Sequence, residues 1–212
     1  SRAAFKEAQA TADDVLSKQH QKAALEYVKA VQQRISRSNE ADRDLVESYN
    51  QNSRLMEGKH QMERASLDSL EGSARLAAEG AQVQKEIQEN SARALEFHRR
   101  RLAAETAERD AYTAESSAIA AQISQLERRP KVPYQSTDYR AHVVKVIRYD
   151  NATAGEMEAA LRKREAADAG FQAMQERIRE RQKTIASITL ESTALARQTA
   201  EATRIQVGIA KG

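Results

Sequence analysis

Apolar residues recur three or four apart along almost the whole chain, the period of helices that each bury one face. From the start, Phe5, Ala8, Ala12, Leu16, His20, Ala24, Tyr27, Val31 and Ile35 form a single stripe. The polar run Ser36-Arg37-Ser38-Asn39-Glu40 interrupts it. Asn39 followed by Asp42 reads as the cap of a new helix, because a short acceptor side chain satisfies the free amides of a first turn. The pattern therefore predicts a first helix over about 3–36 and a second over about 40–128.

The second seam passes through Leu45, Tyr49, Asn52 and Met56, then Leu67, Leu70, Ala74, Ala77 and Ala81. It continues through Ile87, Leu95, Leu102, Tyr112, Ile119, Ile123 and Leu126. The spacing is close to 3.5, which favours left-handed supercoiling. Gly58, Gly72 and Gly80 each weaken a helix by about 1 kcal/mol against alanine, so a break near one of them is the alternative to a continuous rod. The third seam is the cleanest, running through Met157, Ala160, Ala167, Phe171, Met174, Ile178, Ile185, Ile188, Leu195, Ala202 and Ile209. It predicts a helix over about 154–209. Arg164, Arg181, Ser192, Thr199 and Gln206 share this seam, where polar residues weaken packing but fix register and partner choice.

The first helix of about 34 residues and the last of about 56 together match a central helix of about 88. The economical arrangement folds the outer helices back along opposite halves of the central one. A bundle with the central helix broken at a glycine is the other arrangement. The expected fold class is thus all-α: an elongated antiparallel coiled coil or helical bundle of three long helices with a short proline-containing connector, a single domain over 1–212. Many seam positions are alanine, which bury little area each, so stability is expected from length or from self-association that adds a third or fourth helix to the seam.

Residues 129–152 differ from the rest. Pro130 and Pro133 are the chain's two prolines, and Tyr134, Tyr139 and Tyr149 are three of its six tyrosines. The prolines end the long helix, since neither donates a backbone hydrogen bond and each restricts the residue before it. Ser136 or Thr137 can cap a short helix carrying Tyr139, Val143, Val146 and Ile147. The run His142-Val143-Val144-Lys145-Val146-Ile147 is also β-branched enough for a short strand, with the helix favoured.

Charge sharpens this contrast. Residues 128–164 hold nine Lys and Arg against four Asp and Glu, whereas residues 1–127 hold 18 against 21. Arg128, Arg129, Lys131, Tyr134, Tyr139, Arg140, Lys145, Arg148 and Tyr149 are therefore the candidate partner-binding residues. Basic side chains mixed with tyrosines suit acidic proteins, phosphate-rich surfaces or anionic lipid heads, while a solvated connector covering the end of a coiled coil is the plainer reading. Arg99, Arg100 and Arg101 form a second basic cluster.

Composition narrows the chemistry. Aromatic residues are 4%, tryptophan is absent and charged residues are 31%, the profile of long helices meeting along narrow seams. With no cysteine, thiolate catalysis, thiolate metal sites and disulfides are excluded. His20, His60, His98 and His142 lie about 40 residues apart, and none has a second histidine one turn away. His60 alone has carboxylates one turn away on both sides, Glu57 and Glu63, which reads as an ordinary intrahelical contact. No glycine-rich phosphate loop, Gly-x-Ser-x-Gly or dinucleotide fingerprint occurs. Neither catalytic residues nor cofactors are expected. Asn151-Ala152-Thr153 fits a glycosylation acceptor and is read as chance.

The net charge of +3 is too small to argue for nucleic-acid binding. No apolar signal-peptide core or bilayer-length stretch is present, which with the missing cysteines weakly favours the cytoplasm. The chain opens Ser1-Arg2 without methionine, as an excised fragment would. The expected function is a non-enzymatic scaffold or spacer that binds a protein partner and forms homo-oligomers. In size and helicity the chain also resembles BAR-type curvature modules, a resemblance that implies dimers presenting basic faces to anionic lipid. A helical rod of a secretion or toxin-delivery apparatus is a further alternative.

Overall fold

The computed structural model describes residues 2–129, 132–137, 143–148 and 151–211, with side chains over 2–129 and 152–209. Its helices are α1 (Arg2–Ala65), α2 (Gly72–Glu127) and α3 (Asn151–Lys211). Two strands, β1 (Val132–Thr137) and β2 (Val143–Arg148), separate α2 from α3. The fold is an all-α bundle of three packed helices to which this hairpin is added.

The turn expected at 36–40 does not form, and α1 runs through it. Ser38 and Asn39 do not cap a helix end. Their side chains accept hydrogen bonds from the Arg177 guanidinium on α3, at 3.0 Å for Ser38 Oγ. The break comes instead after Ala65. Ser66–Ser69 tighten into a single 3₁₀ turn, with Ser66 Oγ donating to the Glu63 carbonyl at 2.6 Å. Leu70 is extended, and Gly72 has φ +62, a conformation that glycine adopts without the clash a Cβ would bring. Of Gly58, Gly72 and Gly80, Gly72 has the positive φ and lies at the break. The predicted helix over 40–128 is therefore divided between two elements, and the outer helices do not share out its two halves.

The connector is also corrected. Among the described residues no short helix follows the prolines, and Tyr139 of that expectation lies outside them. β1 and β2 pair antiparallel, with Pro133 opposite Ile147, Tyr134 opposite Val146 and Gln135 opposite Lys145. The β-branched run Val143-Val144-Lys145-Val146-Ile147 outweighs the helix reading because such side chains are stiff at χ1 and fit a pleated strand.

Contacts divide the chain into two units, each holding a stretch of all three helices. The first comprises residues 1–37 and 108–174. Its core is apolar: Ala24 and Val31 from α1, Tyr112, Ile119, Ile123 and Leu126 from α2, Ala160, Ala167 and Met174 from α3. Small residues bring the backbones close. A Cβ at Gly170 would meet the Tyr112 ring carbons at 2.5–2.8 Å, so glycine opens the space in which that fully buried ring lies. Arg34 covers the ring at 4.3 Å and donates to Glu115 at 2.6 Å. The Tyr27 hydroxyl donates to the same carboxylate at 2.5 Å.

The second unit comprises residues 38–107 and 175–212. Among the described residues its buried side chains are mostly polar, His60, Glu86 and Glu105, beside the apolar Ile178. Here the seam traced through Leu195 and Ile209 is corrected, since both are exposed. Ala196, Thr199, Thr203 and Val207 are the half-buried residues of that stretch. A straight helix slips about 20° per heptad against a seven-residue repeat, so the row that starts inside rotates out.

Candidate functional site

Two places carry chemistry beyond plain packing. The first is the hairpin end that the sequence singled out. Arg128 and Arg129 close α2, their amides donating to the carbonyls of Gln125 at 3.2 Å and Leu126 at 3.1 Å. Arg129 reaches Glu156 on α3 at 2.7 Å, tying the two ends of the hairpin together, while Arg128 is exposed. Tyr134 on β1 and Lys145 and Arg148 on β2 occupy the hairpin, with Arg148 opposite Val132. Lys131, Tyr139, Arg140 and Tyr149 lie outside the described residues. Of the nine candidates, five are thus brought to one segment.

The second place is a layer of charge inside the polar unit. Arg181 on α3 forks onto Glu105 of α2, with Nε to Oε2 at 3.3 Å and Nη2 to Oε1 at 2.6 Å. Asp42 on α1 pairs with Arg101 and approaches Arg181 at 3.8 Å. His98 Nδ1 lies 3.4 Å from Arg181 Nη1. Burial, then the neighbouring Arg181 and Arg101 charges, lowers the His98 pKa below its ordinary value, so the ring is held neutral. Phe97 stacks on Tyr49 with ring centres 4.7 Å apart and carries Arg101 at 5.4 Å from its centroid.

A second polar network lies along α1 and α2. His60 Nε2 meets Glu89 at 2.9 Å, not the flanking Glu57 and Glu63 of its own helix. Glu86 takes both Arg64 contacts and a bond from Gln82 at 3.1 Å. Glu63 accepts from Gln82 at 2.7 Å and from Lys85 at 2.9 Å, and these bonds pull its pKa down to about 2. Hydrogen bonds from Arg64 and His60 likewise hold Glu86 and Glu89 below the usual carboxylate range.

Sequence reading found Arg181 on the seam but missed its partners. The available signal was the seven-residue step: Leu126, Ile119, Tyr112, Glu105 and His98 mark one row of α2, and Ala160, Ala167, Met174 and Arg181 one row of α3. A trace that follows only apolar residues moves from Tyr112 to Leu102 and steps around Glu105.

An open groove of about 620 Å³ in the same unit is lined by Asn39, Asp42, Val46, Asn50, Arg54 and Arg101 among others. Among the described residues, no group of three or more histidine and carboxylate side chains is placed to hold a metal ion. No described helix is long and apolar enough to cross a membrane. No family model, curated protein or solved structure matches the chain.

Proposed function

We propose that this chain is a non-enzymatic helical scaffold that self-associates and binds a protein partner. The observation that carries the reading is apolar surface left along helices whose cores are already formed. Phe5, Leu55, Met62, Leu190 and Ile209 are each 70–76% exposed. Leu55 and Met62 stand seven residues apart on α1, the spacing at which a helix offers one face to another helix. Ion-paired layers in the polar unit supply the other half of a scaffold, a defined register.

Two measurements test it. Light scattering across a wide concentration range should give a mass above one chain, and replacing Leu55 and Leu190 with glutamate should lower it. A single-chain mass at every concentration would remove self-association. For the partner, the immobilised chain should retain a protein identifiable by mass spectrometry, and replacing Tyr134, Tyr139 and Arg140 by alanine should release it with helicity unchanged. Retention by the triple variant would move the binding surface off the hairpin end.

A further inference from the structure

We propose that the outward face of α3 over residues 190–208 is a self-pairing site, where the same stretch of a second copy packs antiparallel about a two-fold axis level with Thr199. The proposal rests on the reading of the chain as self-associating and gives that association a place.

Over this stretch α3 has two faces of different kinds. Ser192, Ala196, Thr199 and Thr203 are half-buried. They lie toward α2, whose Gln84 donates to the Ala196 carbonyl and whose Gly80 leaves room for the Thr203 side chain. On the other side Leu190, Ala194, Arg197, Glu201, Arg204 and Gly208 are all exposed. They stand four and three residues apart in turn, the spacing of a coiled-coil seam. Leu190 is 72% exposed, and a Cβ on Gly208 would meet nothing within 4 Å. The row thus carries a large knob near one end and an open hollow near the other.

Its charges are unused within the chain. Among the described residues the side chains of Arg197, Glu201 and Arg204 make no hydrogen bond or ion pair. Glu63, Glu86 and Glu105 of the same unit each hold a cation.

What complements this row is its own reverse. Arg197 and Glu201 lie two residues either side of Thr199, Ala194 and Arg204 five, Leu190 and Gly208 nine. Antiparallel pairing about Thr199 therefore sets Arg197 against Glu201 of the second copy and Glu201 against its Arg197. The same register lays each Leu190 over the opposite Gly208, and each Ala194 beside the stem of the opposite Arg204. A parallel pair would instead set Arg197 against Arg197 and Glu201 against Glu201, and like charges so placed repel. Slipping the antiparallel pair by one heptad sets Leu190 against Glu201 in one direction and Arg197 against Gly208 in the other. Neither slip keeps both the ion pairs and the knob in its hollow. Leu190 is the one large apolar side chain of the row, so the pairing depends on concentration.

Charge swaps in the full chain test this register by sedimentation equilibrium, with helicity as the control for folding. Arg197→Glu sets glutamate against Glu201 of the second copy, and Glu201→Arg sets arginine against Arg197. Each alone should raise the dimer dissociation constant roughly tenfold or more. Mixing R197E with E201R restores both ion pairs between unlike chains and should return the constant to that of the unsubstituted chain.

If both variants lose association and the mixture does not regain it, the pairing falls. Loss in E201R alone would indicate the slipped register that joins Glu201 to Arg204, and would overturn this one. If each variant associates as the unsubstituted chain does, this face is only solvated, the contact lies elsewhere and the scaffold reading stands. A single-chain mass for the unsubstituted chain at every concentration would remove self-association and this site with it.

Discussion

The two units share three helices and a seven-residue rhythm, yet solve the interior in opposite ways. In the first, α2 presents Tyr112, Ile119 and Leu126 to alanines and Met174 of α3. In the second, the same row of α2 presents Glu105, and the same row of α3 presents Arg181. Apolar burial stabilises without caring much which neighbour is met, at about 25 cal/mol per Å². A buried ion pair returns little net stability, because desolvation offsets the attraction, but it penalises any register that leaves a charge unpaired. The first unit thus supplies cohesion and the second supplies alignment.

The largest expected effect lies in the first unit. Tyr112→Ala should cost about 4 kcal/mol, since it empties a fully buried site bounded by Gly170 and Met174. Urea unfolding followed by helical circular dichroism measures it, and a loss no larger than that of an exposed substitution would mean the ring is not held as described. Next comes Glu105→Leu, which leaves Arg181 beside Arg101 and His98 with the more distant Asp42 carboxylate at 3.8 Å and should cost about 3 kcal/mol. The double replacement of Glu105 and Arg181 by leucine should recover most of that loss. If single and double variants are equally damaged, the layer stabilises by something other than pairing. Gly170→Ala should cost about 1–3 kcal/mol, because the added methyl meets the Tyr112 ring.

The smallest effect is in pH. Glu63, Glu86 and Glu89 have folded pKa values below their unfolded ones, so their contribution is present above the unfolded value. For Glu63 it is lost as pH falls from about 4.5 toward about 2. His98 acts at higher pH with the same sign. Its folded pKa is lowered, so the unfolded chain takes up the proton first and stability declines as pH drops below about 6.5. Amide exchange should show the polar unit loosening before the apolar one on acidification, and the His98→Gln variant should lack the part near neutrality. Simultaneous loosening of both units would erase the distinction between them.

What the sequence made legible follows this same division. The apolar rows through Ala24 and Val31, through Ile119 and Leu126, and through Ala167 and Met174 are visible as periodicity, and the structure buries them. The helix boundary was misplaced because Ser38 and Asn39 carry the chemistry of a cap, and only a remote residue, Arg177, decides how that chemistry is used. The strand choice for residues 143–148 turned on β-branching against a possible cap, which local pattern does not settle. Glu105 and His98 were hidden because a charged residue inside a seam looks like a charged residue outside it until its partner's row is aligned. The segment between α2 and α3 stands apart by composition alone, since prolines, tyrosines and cations concentrate there.

The 3₁₀ turn and left-handed Gly72 between α1 and α2 bear on the order of assembly. Arg64 finds Glu86 across 22 residues, whereas Tyr27 finds Glu115 across 88. Closing the longer span costs about 1.2 kcal/mol more in chain entropy, two doublings of loop length. Of these two α1–α2 contacts the one beside the turn therefore closes at the lower entropic cost, and it is a charged pair, intolerant of a slipped register. A short tether thus holds together the groups that a slipped register of this helix pair would leave unpaired.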